Sequence, residues 1–568
     1  MSERSAQPPG TAGQGETPDL HGAYPRLTDE QITTLAGCGH RRPTRRGQLL
    51  AAAGLPTDMF YVVLRGQIAV IDEEESARRI IRVHGPRRFL GELGLLEGQI
   101  SFVTMEVRAP GSVLAVPVRR LREVIARDPV LGDAILRAYL IRRSLLVGQG
   151  TGFRIIGSCY SPDTRRLREF AARNRLPHRW IDPEKDPQAE NLLRRFQIGP
   201  ADTPIVVWRR SDVLRNPSNA ELARLAGLTA SPAGEAVVDL LVVGAGPAGL
   251  AATVYGASDG LDTRLLDTIA AGGQAAASSR IENYLGFPSG ISGAEFAERA
   301  VIQAKKFEAP LHIPATAIGL ESDGGYYRVR LSHGAPLSAK AVVIATGAHY
   351  RRLKLPRLRT FESSSVYYAA TQVEALHCAG KPIAVVGGGN SAGQAALFLA
   401  EHAPEVHLLC RSPELRESMS RYLADQIEQD HRVSVRCDTE VCELVGETEL
   451  EAVTVRRNDT GEQWRIPAQL LFVFIGAEPC TSWLADTVRL DERGYVVTGR
   501  DATEATTNGT LWQALDRQPL ALETSRPGVF AIGDVRRGSV KRITSAVGEG
   551  AMAVRMAIEH LCRGGGMT

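Results

Sequence analysis

Gly244, Gly246 and Gly249 stand in the spacing G-x-G-x-x-G, and the chemistry that spacing serves is the binding of a pyrophosphate by backbone alone. The apolar run Val237-Val238-Asp239-Leu240-Leu241-Val242-Val243 precedes them and an alanine-rich helical run follows. The first glycine permits a tight turn, the second lets phosphate approach the main chain, and the third lets helix pack on strand. The helix start offers free N–H groups to the phosphates. A second strand, Thr263-Arg264-Leu265-Leu266-Asp267, ends in a carboxylate roughly 20 residues further on, where an adenosine ribose needs an acceptor. A second fingerprint, Ile383-Ala384-Val385-Val386-Gly387-Gly388-Gly389-Asn390-Ser391-Ala392, implies a second dinucleotide. Its following strand, Val406-His407-Leu408-Leu409, ends not in an acid but in Cys410-Arg411, with Arg416 close behind. A ribose hydroxyl calls for a carboxylate and a 2′-phosphate for guanidinium, so the second site is expected to take NADPH; the alternative is a plain surface arginine pair.

The elements that position these residues belong to a long chain. With 568 residues three or four domains are expected, since a single core rarely grows past roughly 250 residues. The 67 basic and 64 acidic side chains leave a net charge of +3, which gives no reason to expect nucleic acid or a membrane surface as partner. No apolar run is long enough to span a bilayer and the N-terminus lacks the pattern of a secretory signal, so a cytoplasmic location is expected. Cys38, Cys159, Cys378, Cys410, Cys437, Cys442, Cys480 and Cys562 are too sparse for a disulfide scaffold, and no two form C-x-x-C.

Taken in order, residues 1–23 read as a disordered tail rich in Pro, Gly, Ser and Gln. Residues 24–150 read as a β jelly roll of short glycine-broken strands, with Met59–Leu64 and Ile68–Ile71 on either side of Gly66, closed by a helix over 119–147. Within it, Phe89-Leu90-Gly91-Glu92-Leu93-Gly94-Leu95-Leu96 resembles the phosphate-binding cassette of cyclic-nucleotide-binding domains. The resemblance implies that Gly91 and Glu92 belong to the pocket, with Glu92 on the ribose and an arginine on the cyclic phosphate. Where that arginine belongs, the sequence reads Ile100-Ser101-Phe102-Val103-Thr104. Loss of a charge-assisted contact of roughly 1.5–3 kcal/mol leaves a cyclic nucleotide a poor ligand unless Arg87 or Arg88 folds over the site. Otherwise the fold is a retired sensor kept for assembly or for another ligand.

After a glycine-rich linker, residues 152–228 alternate strands at 153–156, 178–181 and 205–208 with helices at 164–174 and 189–196. The order, and the Thr203-Pro204 step, resemble glutaredoxins and thioredoxins; the resemblance implies a cis proline facing the redox site. Ser161-Pro162-Asp163-Thr164 stands where glutaredoxins have Cys-Pro-x-Cys, so the unit is either a redox-dead docking module or a monothiol site at Cys159.

The rest resembles bacterial low-molecular-weight thioredoxin reductases, and the whole chain the variant fused to a cyclic-nucleotide-binding-like domain. The resemblance rests on the two fingerprints, on Gly272-Gly273-Gln274 and Ile281-Glu282-Asn283-Tyr284, on Ala345-Thr346-Gly347, and on Ala531-Ile532-Gly533-Asp534 before the last helix. It implies a two-domain α/β flavoprotein, with FAD held by residues 237–350 and 480–568 and NADPH by 351–479. Gly244, Gly246, Gly249, Asp267, Gln274, Asn283, Thr346, Gly347, Gly533 and Asp534 would address FAD. Gly387, Gly389, Asn390, Ser391, Arg411 and Arg416 would address NADPH. The family's redox Cys-x-x-Cys is absent: Tyr368-Ala369-Ala370-Thr371-Gln372 puts Ala369 and Gln372 at the two sulfur positions, and Cys378 is the nearest thiol. Cys437 and Cys442 are expected on neighbouring strands, in a structural role. The chain is therefore expected to be an NADPH-dependent FAD oxidoreductase and a homodimer. Its acceptor is left open among a thioredoxin-like protein, ferredoxin, a quinone and oxygen; the alternative is a sensor or scaffold of nucleotide occupancy with little turnover.

Overall fold

The structure is a computed structural model. It describes residues 15–564 except 74–77, 92, 187–188, 190–192, 195–197, 200–201, 209–211, 229–235, 279, 324, 363, 369, 371, 448, 485–486, 504–511, 513–514 and 516. The chain divides into two compact units, Met1–Thr229 and Ala230–Thr568.

In the first unit, an antiparallel sheet runs in the order His40–Thr44, Thr104–Pro117, Met59–Glu73, Arg78–His84, with Leu49–Ala51 also paired to Thr104–Pro117. The two strands read on either side of Gly66 are one bulged strand, Met59–Glu73, whose register against Thr104–Pro117 shifts between Val63 and Ile68. The single helix expected over 119–147 is two, Val118–Arg127 and Pro129–Gly148. Asp128 separates them because its carboxylate accepts from Leu131 N at 3.0 Å while Pro129 takes the first helical position. The tail expected over 1–23 also needs correction. Thr17 N donates to Val83 O at 3.0 Å, Arg88 pairs with Glu16 at 2.9 Å, and Ala23 and Tyr24 are buried. Residues 15–23 thus pack on the jelly roll, which a count of large apolar side chains does not reveal.

The same unit holds a second sheet in the order His178–Ile181, Phe153–Ile156, Ile205–Trp208, Asp212–Arg215. The first pair is parallel and the other two antiparallel. Pro162–Arg173 and Asn219–Ala226 are its helices, and the bond before Pro204 is cis. Most of the helix expected at 189–196 lies outside the described residues. Phe102 joins the two sheets: its ring is 5.7 Å from that of Phe153 and 5.6 Å from that of Trp208, both edge-on.

The second unit has two α/β layers. One sheet runs Leu311–His312, Thr263–Leu266, Val238–Val243, Leu337–Ile344, Tyr326–Leu331, Ala317–Asp323, with Val529–Ala531 parallel to the end of Leu337–Ile344. The other is wholly parallel, in the order Val366–Tyr367, Leu470–Val473, Ile383–Val386, Val406–Leu409, Val433–Arg436. Both are covered on two faces, which is why their central strands read as unbroken apolar runs. The chain crosses between them twice, through Ala348–Tyr350 and Ala477–Pro479, which pair as an antiparallel ribbon. No helix among the described residues is long and apolar enough to cross a membrane.

Candidate cofactor-binding site

Val238–Val243 ends at Gly244, whose φ of +109° an L side chain rarely adopts. A Cβ there would lie 2.3 Å from Ala345 O, so the turn closes against the neighbouring strand. At Gly249 a Cβ would lie 1.8 Å from Gly244 O, which is the close helix–turn packing expected of the third glycine. Gly246 differs: a Cβ there would meet nothing within 4 Å. Its backbone faces open space at the start of helix Pro247–Ser258, whose N-cap has no side-chain partner. A cradle with free N–H groups and room above the main chain fits a pyrophosphate.

Asp267 clamps this turn. Its Oδ2 accepts from Ala245 N at 2.8 Å, and its Oδ1 from Ile269 N at 2.9 Å and Ala270 N at 3.1 Å. A carboxylate offers about four lone-pair positions, so Asp267 keeps capacity for a ribose hydroxyl. Thr346 Oγ1 donates to Cys480 O at 2.8 Å and Cys480 N to Gly347 O at 3.0 Å, tying the end of the third strand to the returning crossover. The Gln274 side-chain amide donates to Ala348 O on the ribbon. Gly533 N donates to Glu549 Oε2 at 2.6 Å, and a Cβ on Gly533 would lie 3.1 Å from that of Ala248. Burial pushes the Asp534 carboxyl above the ordinary carboxylate range, against the pull of Lys541. The structure thus brings together Gly244, Gly246, Gly249, Asp267, Thr346, Gly347, Gly533 and Asp534, and sets Gln274 at the ribbon. Asn283 stands exposed.

The second fingerprint repeats the logic. A Cβ on Gly387 would lie 2.3 Å from Phe474 O, while one on Gly389 would meet only Ser418 O at 3.9 Å. Helix Asn390–Ala400 begins there without a side-chain cap, and Ser391 is exposed. Asn390 Oδ1 accepts from Ser420 N at 2.6 Å and Ser418 Oγ donates to Gly388 O at 2.9 Å, so the loop after Cys410 is fastened to the glycines. The two arginines part company. Arg416 donates to Glu428 Oε1 at 2.9 Å and to Asp425 Oδ1 at 2.7 Å, so its guanidinium is committed to helix Arg421–Gln429. Arg411 is exposed, and among the described residues no hydrogen bond or ion pair engages its guanidinium. Of the two arginines expected at this site, Arg416 is ion-paired to the neighbouring helix and Arg411 is the one left facing solvent.

The dithiol region offers no sulfur. Ala369 lies outside the described residues, and Gln372 opens helix Gln372–His377. Cys378 is fully buried, its Sγ donates to Glu374 O at 3.3 Å, and burial with Glu374 nearby pushes the thiol up to about 11. In the first unit Ser161, not Cys159, caps helix Pro162–Arg173, and burial with Asp182 nearby pushes the Cys159 thiol up. Neither thiol is shifted toward the thiolate.

In the jelly roll, Glu92 lies outside the described residues and Gly91 adopts a φ of +100°. Neither Arg87 nor Arg88 folds over the pocket. Arg87 donates to Leu27 O at 2.9 Å, and Arg88 pairs with Glu16. Arg82 and Arg142 line the pocket instead, and the sequence reading missed both; Arg142 is the buried one. It donates to Ala23 O and Gly91 O at 2.7 Å and to Phe89 O at 3.1 Å, and lies 4.5 Å from the centre of the Phe89 ring. Burial lowers it to about 10. The only sequence signal was an arginine pair, Arg142-Arg143, inside an apolar helical run.

Residues 238–550 match the family model described as pyridine nucleotide-disulphide oxidoreductase, a span that contains both fingerprints. The chain belongs to that family. Residues 41–128 match the cyclic nucleotide-binding domain model. Relatives within the oxidoreductase family include a Clostridium pasteurianum protein known as the 34.2 kDa protein in rubredoxin operon, 31% identical over 335 residues, 58% of this chain and 98% of that one. NADPH-dependent thioredoxin reductase 3 of Arabidopsis thaliana is 32% identical over 340 residues, 59% of this chain and 60% of its own length. Among solved structures, Lactococcus lactis thioredoxin reductase superposes with a TM-score of 0.51 at 26% identity, covering 57% of this chain and 99% of that one. The fold of this oxidoreductase unit is therefore of thioredoxin reductase type.

Proposed function

We propose that the protein is an NADPH-dependent FAD oxidoreductase whose electrons leave without a dithiol relay in its own chain. The observation that carries this is the pair of open cradles at Gly246 and Gly389 in a reductase unit with no sulfur at 369 or 372. The bound cofactors would supply hydride transfer from nicotinamide to flavin and onward electron delivery. Gly244, Gly246 and Gly249 with Asp267 would hold the FAD pyrophosphate and ribose, Thr346-Gly347 and Gly533-Asp534 would line the same cleft, and Arg411 would select the 2′-phosphate of NADPH. The acceptor is one that takes electrons directly: ferredoxin, a quinone, oxygen, or a thioredoxin-like protein bringing its own dithiol. The sheet order and paired helices of 153–226 support reading that region as a thioredoxin-like docking module without redox chemistry. Phe102, in the segment 100–104 where the phosphate-binding arginine belongs, supports reading the jelly roll as fastened to that module rather than as a cyclic-nucleotide sensor. An anaerobic NADPH titration followed by flavin absorbance, then an acceptor screen, tests the reading. Flavin that stays oxidised under excess NADPH, or disulfide turnover surviving loss of Cys159 and Cys378, overturns it.

A further inference from the structure

Cys410 and Cys437 end neighbouring parallel strands. Leu409 pairs with Arg436, and Cys410 N donates to Arg436 O at 2.8 Å, so the two cysteines follow the last paired residues side by side. They share a face. Val406, Leu408 and Cys410 lie in the same apolar cluster as Val433, Val435 and Cys437. Adjacent strands are about 4.8 Å apart, inside the range of about 4.4–6.8 Å between Cα atoms that a disulfide spans. Cys410 is near enough to Cys437 to raise its thiol. The sulfur of Cys410 also has a second neighbour. A Cβ built on Gly388 would lie 2.7 Å from Cys410 Sγ and 3.2 Å from Ser418 Oγ, so these two atoms form the floor under the middle glycine of the second fingerprint.

We propose that Cys410 and Cys437 are a reversible dithiol–disulfide pair that lowers NADPH affinity when a hydroperoxide oxidises it. Cys437 is the half-buried member and Cys410 the buried one, so Cys437 meets the oxidant first. Its sulfur attacks the peroxide, the O–O bond breaks, and the leaving alkoxide takes up the thiol proton as an alcohol. The sulfenic acid so formed is attacked by Cys410; the S–S bond forms, the S–O bond breaks, and hydroxide leaves with the Cys410 proton as water. Two electrons pass from the sulfurs to the peroxide. An external dithiol reverses the step by exchange. Burial and the adjacent Cys410 push the Cys437 thiol up, so its oxidation is slow. Bridging draws Cys410 Sγ sideways toward the strand Val433–Arg436. Gly388 then loses half of its floor, and the loop that would grip the phosphates shifts.

The test uses the full chain with FAD bound. Limited hydrogen peroxide is expected to yield a 410–437 linked peptide on mapping without reductant, and to weaken NADPH binding about 5-fold or more, the lower end of usual coupling between sites. Dithiothreitol restores both. FAD content stays unchanged. Cys437→Ser, and Cys437→Ala as a second variant, should bind NADPH as the reduced protein does and lose the peroxide response. Peptide mapping without a 410–437 bridge overturns the proposal on the unaltered protein, independently of the NADPH assignment on which it rests. A bridge with unchanged NADPH affinity, or a peroxide response that persists in both variants, overturns it as well.

Discussion

Gly246 and Gly249 are three residues apart in one motif, yet the structure gives them opposite tolerances. Gly246 has φ −69° and ψ 179°, a backbone any residue adopts, and a Cβ there meets nothing within 4 Å. Gly246→Ala should therefore leave the apo fold intact. By restricting the unfolded chain it should stabilise the apo-protein by about 0.4–1 kcal/mol, or roughly 1–4 °C in midpoint. The same methyl occupies the cradle. If it displaces one backbone contact to a charged phosphate, about 1.5–3 kcal/mol, FAD binding weakens by about 10- to 150-fold; valine in its place should prevent flavin retention. Gly249→Ala puts its Cβ 1.8 Å from Gly244 O, a clash with backbone that no rotamer relieves, so it should lose fold and flavin together. The assay is paired: flavin-to-protein absorbance after desalting, and denaturant melts of deflavinated protein. Full FAD content in Gly246→Val, or a destabilised apo Gly246→Ala, refutes the reasoning.

Arg411→Ala should weaken NADPH by about one to two orders of magnitude and bring it level with NADH, whereas Arg416→Ala should leave the NADPH-to-NADH ratio unchanged because Asp425 and Glu428 already hold it; stopped-flow flavin reduction separates the two. NADPH-dependent reduction of thioredoxin or a model disulfide should be poor, and Cys378→Ser should not alter it. Cyclic AMP and cyclic GMP should give no saturable heat with the full chain at micromolar concentration, and measurable affinity would reject the reading of Phe102. The raised Asp534 carboxyl contributes stability that is present below the unfolded carboxylate pKa and lost as pH rises through its folded value. Asp534→Asn should therefore stabilise the apo-protein at neutral pH and not in strong acid, as read by denaturant titration at each pH.

What was legible in the sequence was what depends on local order: strand, turn and helix at 238–258 and 383–400 are contiguous, so periodicity and glycine spacing reveal them directly. What was not legible depends on side chains that meet from distant segments. Arg411 and Arg416 look equivalent as neighbours of a strand end, and only helix Arg421–Gln429, folded back over the loop, distinguishes the free guanidinium from the paired one. Cys437 and Cys442 were expected side by side on neighbouring strands in a structural role; parallel pairing sets Cys437 instead beside Cys410, far back in sequence.

The same logic explains the jelly roll. Ile100-Ser101-Phe102-Val103-Thr104 reads as a cassette that has lost its arginine, because the sequence shows the loss and hides the replacement. In the fold, Phe102 packs edge-on against the touching Phe153 and Trp208 rings, while Gln99 Oε1 accepts from Arg143 Nη2 at 3.0 Å and Arg143 Nη1 donates to Arg175 O at 3.2 Å. An arginine at 102 would bury an unpaired charge in an aromatic cluster, a cost that an unpaired polar group alone sets at several kcal/mol. A guanidinium there would therefore unseat the small α/β sheet before it could recruit a phosphate. Val103→Arg, one residue on and lining the pocket with Arg142, is the substitution that separates the two. It should leave the Phe102 cluster in place, so a gain in cyclic-nucleotide affinity would show that the pocket lacks only a guanidinium free to meet phosphate. If no gain follows in a folded variant, the carbonyl-held Arg142 has already closed the pocket to phosphate.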